Sequence, residues 1–362
     1  MKIVVFQDYL RSGGTESQSV AMSDFFARAG HEVVLLTMRP GGVLTPSPLC
    51  LHISLQRSDC RWNWFAPRMI STLRALAPDI VLCMGFYANL YASYLQGRFK
   101  NCVVIGTVRT LHKMPWWLLK SWRGLQLMIS NSESGKKILV QRHRFAAEKI
   151  KVIPNARLKP VDVSQIPSMR VNFRKQWNVQ LETKVLLCVA MFRKEKNQEE
   201  LIRIVSRWRT EAAWQLWLAG DGATLARCRR LAEPLGEKVR FFGHQTDLSP
   251  FYAAADVAVL TSQMESLPNF LCEAQSYGLP VVAYDVGGVR ECFLPEKSGL
   301  LVPYPNQERL RECLSKIVEN ENLEKEMSAA AQTFARARFS PASRFGEYLE
   351  LFENALAAIQ HG

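Results

Sequence analysis

No apolar run in the 362-residue chain approaches the roughly 20 residues that a membrane-spanning helix needs, so a soluble protein is expected. The opening MKIVVFQDYL has one Lys and four apolar residues before Gln7 and Asp8. That is too short for the core of a secretion signal and reads as a first strand. The nine cysteines stand singly, odd in number and without a Cys-x-x-Cys pair. A zinc site and a disulfide framework are therefore not expected, and a reduced, cytoplasmic compartment is. With 17 Pro, 20 Gly and 48% apolar residues, collagen-like and disordered chains are excluded. Asp-x-Asp is missing, as is any His/Asp/Glu cluster at ligand spacing, so no metal is expected. Acid is scarce in one half only. Residues 1–180 carry 25 Lys and Arg against 9 Asp and Glu, and residues 181–362 carry 21 against 24. A basic half suits an anionic partner: nucleic acid, a membrane surface or a phosphorylated substrate. The dispersal of its charges argues against nucleic acid.

What is present is a repeating alternation of short apolar runs with amphipathic stretches. Lys2–Phe6 reads as a strand, Glu16–Ala29 as a helix with Ala21, Met22, Phe25, Phe26 and Ala29 on one face, and Gly30 as its stop. Val33–Thr37, Ile80–Cys83, Val103–Val108, Leu127–Asn131 and Lys151–Ile153 are further strands. The Pro-rich stretch 154–168 reads as a linker. The pattern then restarts with Val185–Ala190, Gln215–Ala219, Val239–Phe242, Val257–Leu260, Val281–Tyr284 and Leu300–Val302. Two doubly wound α/β domains in tandem follow, over 1–165 and 170–340. The first is completed by a helix over about 341–362, capped by Ser340, with Tyr348, Leu351, Phe352 and Leu356 on one face. Ligands of such sheets bind outside the carboxyl ends of the strands.

The stretch SQMESLPNFLCEAQSYG (Ser262–Gly278) is the richest in chemistry. Pro268 suits a first helical turn, so a helix begins near Leu267 or Pro268. Glu265 then lies in the loop before it and Glu273 within it. The helix start around Asn269 and Phe270 suits a phosphate, and a neighbouring carboxylate suits sugar hydroxyls. The same pattern also fits a capping Glu265 and a solvated Glu273.

This Glu-x7-Glu segment resembles the signature of the family-4 retaining glycosyltransferases. Further pieces stand in the matching order: SGGTE (Ser12–Glu16), NSES (Asn131–Ser134), VIPNA (Val152–Ala156), VAMFRKEKN (Val189–Asn197), LAGDG (Leu218–Gly222), RFFGH (Arg240–His244) and SGLLVP (Ser298–Pro303). The resemblance implies the GT-B fold, two Rossmann-like domains facing a central cleft. It also implies a nucleotide sugar on the second domain, an acceptor on the first, and neither metal nor cofactor. By matching position, Glu273 binds the ribose, Glu265 the donor sugar at its reacting face, and Lys196 the diphosphate. Leu267, Asn269 and Phe270 flank that site, while Gly222 belongs to the facing turn and His244 lies along the base. Gly13 and Gly14 approach a donor phosphate or the acceptor. Where relatives carry an Arg five residues before the Lys this chain has Met191, with Arg193 as a substitute. The catalytic position of the first domain falls to Arg109, ahead of His112.

Two aromatic-basic segments, RWNWFAPR (Arg61–Arg68) and KMPWWLLKSWR (Lys113–Arg123), read either as a membrane-interface surface or as core. The first reading gives a cytoplasmic enzyme peripheral on the inner face of the membrane. Such an enzyme would move sugar from a nucleotide sugar, a UDP-sugar foremost, to a lipid-linked or phosphorylated glycan of a surface polysaccharide or lipopolysaccharide. A UDP-N-acetylglucosamine 2-epimerase on the same scaffold is the alternative.

Overall fold

The computed structural model describes residues 1–11, 13–111, 114–156 and 161–360. In chain order the elements begin β1 (Lys2–Gln7), α1 (Gly14–Arg28), β2 (Glu32–Thr37), β3 (Leu51–Ser54), α2 (Met69–Leu76), β4 (Ile80–Cys83) and α3 (Phe86–Arg98). They continue β5 (Val103–Val108), α4 (Trp116–Arg123), β6 (Leu127–Ser130), α5 (Glu133–His143), β7 (Ile150–Val152) and α6 (Ile166–Gln176). Next come β8 (Lys184–Val189), α7 (Gln198–Ser206), β9 (Trp214–Ala219), α8 (Leu225–Ala232), β10 (Val239–Gly243), α9 (Ser249–Ala254) and β11 (Val257–Leu260). Last are α10 (Asn269–Ser276), β12 (Val281–Tyr284), β13 (Gly299–Val302), α11 (Gln307–Val318), α12 (Glu321–Arg338) and α13 (Pro341–Gln360).

Two compact units result. Met1–Leu158 with Phe339–Gly362 form the first, and Lys159–Arg338 the second. The first holds a seven-stranded sheet in the order β3-β2-β1-β4-β5-β6-β7, the second a six-stranded sheet in the order β10-β9-β8-β11-β12-β13. Every strand pair is parallel. Continuous apolar strands such as Ile80–Cys83 and Val257–Leu260 are buried along their whole length, as a sheet with both faces covered requires.

In the first unit α13 packs against α1. Phe26 meets Phe345, Tyr348 and Phe352 at 6.4, 6.5 and 5.7 Å between ring centres. The buried face of α1 is less than half apolar: Gln18, Ser19, Met22, Ser23 and Phe26 line it, while Ala29 is exposed. The polar members are satisfied internally. Gln7 Nε2 donates to Ser19 Oγ at 3.2 Å, and Gln18 Nε2 to the carbonyl of Ala156 at 2.6 Å.

Three sequence expectations need correction. The linker does not extend to 168, because Ile166 already opens α6 with Pro167 in its first turn, a position where the missing N–H costs nothing. An edge strand, β3, lies where none is expected; its His52 and Ser54 side chains bond Thr37 Oγ1 at 3.1 and 3.0 Å instead of packing in a core. The second aromatic-basic segment divides: Trp116 and Trp117 are 69% and 49% exposed, but Trp122 is buried at 3%. Its indole Nε1 donates to Asn89 Oδ1 at 2.8 Å, which makes it a core residue. Trp62 and Trp64, in the first segment, are exposed and stacked 5.6 Å apart.

Candidate functional site

In the second unit the turns after β8 and β11 lie side by side at the carboxyl ends of adjacent strands. The backbone N–H of Gln263 donates to the carbonyl of Glu195 at 2.8 Å and ties the turns together. Across them Lys196 Nζ donates to Glu265 Oε1 at 2.6 Å. The Lys196 side chain is 25% exposed and that of Glu265 only 8%, so the carboxylate sits deep and the ammonium faces outward. Beside them the hydroxyl of Ser262 is buried without a hydrogen-bond partner.

Helix α10 starts at Asn269 with Pro268 as its cap residue, close to the expected start. Glu273 is half-buried and held from within the unit: Tyr252 Oη donates to its Oε2 at 2.7 Å. Burial and this carboxylate push the Tyr252 phenol well above its ordinary pKa, which keeps it a donor. Tyr252 stacks between Phe270 and Tyr277, at 6.2 and 5.2 Å. The Phe270 and Leu267 side chains are buried, which leaves their backbone as what they can offer a ligand.

Gly222 packs against the turn after β8. A Cβ there would lie 2.5 Å from the Phe192 carbonyl oxygen, and its φ of +149° independently favours glycine. His244, just past β10, is exposed. The structure does not bring Arg193 to the Lys196–Glu265 pair: half exposed, it makes its ion contact with Glu195 at 4.0 Å.

In the first unit Arg109 follows β5. Its Nη1 donates to Asn155 Oδ1 at 2.8 Å and its Nη2 to Tyr348 Oη at 2.7 Å, while its Nε is buried without an acceptor. Asn131 Nδ2 also reaches Asn155 Oδ1, at 3.5 Å. The VIPNA segment and α13 thus meet on one guanidinium, and the NSES segment joins them through Asn155. His112 lies outside the described residues. Gly13 caps α1 in extended conformation, and the space a Cβ would fill there is taken by the Glu16 carboxylate, 2.3 Å away. Gly14 is the first residue of that helix.

Two side chains escape sequence reasoning. Asp8, at the end of β1, accepts from the backbone N–H groups of Tyr87 and Ala88 at 3.0 and 2.9 Å. Burial pushes its carboxyl up to about 6 against the lowering pull of those bonds. Glu200, in α7, accepts from Tyr284 Oη at 2.6 Å and from Asn197 Nδ2. An acid in a Glu-Glu pair looks like solvated helix surface, and only the buried tyrosine opposite Glu200 tells otherwise. Among the described residues no His/Cys/Asp/Glu group is arranged to hold a metal ion.

Chemically the second-unit site offers an outward-facing cation on a buried carboxylate, with a second carboxylate eight residues further along the chain. That set can neutralise a diphosphate and accept hydrogen bonds from hydroxyl groups.

Comparison with known proteins agrees with this division. The sequence model described as Glycosyl transferases group 1 matches residues 169–334, and that described as Glycosyltransferase Family 4 matches residues 12–157. The lipopolysaccharide core biosynthesis glycosyltransferase LpsD of Rhizobium meliloti (strain 1021) is 30% identical over 84% of this chain and 82% of its own. LpsE of the same organism, also described as a lipopolysaccharide core biosynthesis glycosyltransferase, is 29% identical over 49% of this chain. That match spans about half of LpsE, 52% of its length. The crystal structure of Anabaena Alr3699/HepE in complex with UDP-glucose shares the fold at 18% identity, with a TM-score of 0.81 over 98% of this chain and 100% of that one. The chain, two Rossmann-like parallel-sheet units of the GT-B type, belongs to the family-4 glycosyltransferases and is a glycosyltransferase.

Proposed function

We propose that the protein transfers a sugar, with retention of anomeric configuration and without a metal, from a UDP-sugar to a lipid-linked or phosphorylated glycan. The glycan belongs to a bacterial surface polysaccharide or lipopolysaccharide. The observation that carries this reading is the Lys196–Glu265 pair at 2.6 Å, with Glu273 held by Tyr252 on the helix that follows. In it Lys196 turns from Glu265 to the donor diphosphate and offsets the charge that gathers on the leaving group. Glu265 is then released to the donor sugar, and Glu273 takes the ribose hydroxyls. The relatives LpsD and LpsE, named for lipopolysaccharide core synthesis, support the pathway, and the UDP-glucose bound by HepE supports the donor. The named relatives are transferases, which disfavours the epimerase alternative.

Exposed Trp62, Trp64, Trp116 and Trp117, all in the basic first half, support a reversible contact with the anionic inner face of the cytoplasmic membrane. Among the described residues no helix is long and apolar enough to cross a membrane.

Calorimetry tests the donor site. Glu273→Ala and Lys196→Ala should each weaken UDP binding roughly tenfold or more, as expected for loss of a charge-assisted hydrogen bond. Unchanged UDP affinity in both variants overturns the assignment. Sugar transfer from UDP-sugars that occurs only with acceptor present separates a transferase from an epimerase.

A further inference from the structure

The turn that presents Lys196 has an uncommon backbone. Lys194–Lys196 form a single 3-10 turn, and Asn197, which follows, has φ +57° and ψ +37°. That left-handed conformation is sterically costly for any residue with a Cβ, and Asn tolerates it better than most. Asn197 is also the cap residue of α7, and Glu200 stands three positions on, where a glutamate ordinarily reaches back to the cap residue's backbone N–H.

Here Glu200 does something else. One carboxylate oxygen accepts from the side-chain amide of Asn197 and the other from Tyr284 Oη at 2.6 Å. Glu200 is 8% exposed and Tyr284 fully buried, and among the described residues no cation pairs with this carboxylate. Burying an anion on two neutral donors is unfavourable, and an apolar residue would pack there at less cost. The hydroxyl of Thr261 adds a third restraint, donating to the carbonyl of Asn197 at 3.1 Å. The φ of Asn197 sets the plane of the peptide that joins it to Lys196, so fixing one aims the other.

We infer that Glu200 is a positioning residue for Lys196: clamped by Tyr284, it holds Asn197 left-handed and so aims the Lys196 ammonium at the donor diphosphate. This rests on the donor-site reading given above. It assigns the Glu200–Tyr284 pair, which touches no substrate, to donor affinity and not merely to capping α7.

The test uses the full chain, with UDP and uridine as probes in calorimetry. Glu200→Met keeps volume and removes both acceptors; Tyr284→Phe removes one hydroxyl and keeps the ring. Glu200→Met should weaken UDP roughly tenfold, the scale of a charged hydrogen bond, and Tyr284→Phe by a smaller factor of about three. Uridine, which lacks the diphosphate, should bind all forms alike. In a Lys196→Ala background Glu200→Met should cost no further UDP affinity, because its effect passes through that ammonium. If uridine weakens along with UDP, or the two substitutions add, Glu200 supports only the fold and the inference is overturned. If Glu200→Met does not fold, Tyr284→Phe decides: unchanged UDP affinity in it refutes the clamp. Lys196→Ala alone separates the two layers. No loss of UDP there overturns the role of Lys196 in the donor site, whereas loss there without loss in the clamp variants overturns only this inference.

Discussion

Substituting Lys196 by Met removes the ammonium and leaves Glu265 in place, 8% exposed and, among the described residues, with no second cation bonded to it. Breaking a buried pair from one side costs about 3–5 kcal/mol, because the remaining charge is stranded. Here Lys196 is a quarter exposed, so water reaches the vacated position and the cost falls below that range, to about 2 kcal/mol. For a domain of this size that corresponds to a fall in Tm of about 4–8 °C. Differential scanning calorimetry of Lys196→Met and of Lys196→Met with Glu265→Gln measures it. The single variant should melt lower, and the double variant should regain most of the loss because the stranded charge is gone. Excess UDP should raise the wild-type Tm more than that of either variant. A single variant that melts like wild type, or a double variant no more stable than the single, refutes the reasoning.

Three other expectations follow from particular side chains. Asp8 titrates near 6 when folded against about 3.8 unfolded, so the native state holds the extra proton between those values and loses stability as pH rises from 4 to 6. Urea titrations should show that slope in wild type, about 3 kcal/mol at most, and a flatter one in Asp8→Asn; equal slopes contradict it. Trp116→Ser with Trp117→Ser should leave circular dichroism unchanged and reduce co-sedimentation with anionic vesicles. Trp122→Ser should instead cost about 3–5 kcal/mol of stability, and a Trp122→Ser protein that melts like wild type would show the burial to be wrong. Sugar transfer should persist in excess EDTA; loss of activity restored by Mg²⁺ or Mn²⁺ would remove the metal-free mechanism.

Apolar periodicity finds twelve strands because strands covered on both faces, such as Val81 with its neighbours or Val259 with its own, need a continuous apolar run. It misses β3 because an edge strand with His52 and Ser54 needs none. It also misreads α1, whose buried face is shared by Gln18, Ser19 and Ser23: hydrogen bonds pay for their burial, and hydrophobicity does not register that. Lys196 and Glu265 are 69 positions apart, and no spacing rule joins them. Only the family resemblance names both, while their direct contact and the Glu200–Tyr284 clamp are properties of the folded sheet. Arg109 stands at the end of its strand as the sequence implies. Its bond to Tyr348, 239 positions away, is invisible until α13 folds back.

That return of α13 has a consequence for synthesis. The aromatic face of α1 leaves the ribosome early, and its covering residues Phe345, Tyr348 and Phe352 emerge roughly 300 residues later. At about 5–20 residues per second the nascent first unit waits some tens of seconds with Phe25 and Phe26 uncovered. Lys159–Arg338, continuous in the chain, is whole shortly before those covering residues emerge. The segment translated second can therefore close before the one translated first, and chaperone demand should concentrate on the amino-terminal half until α13 has emerged.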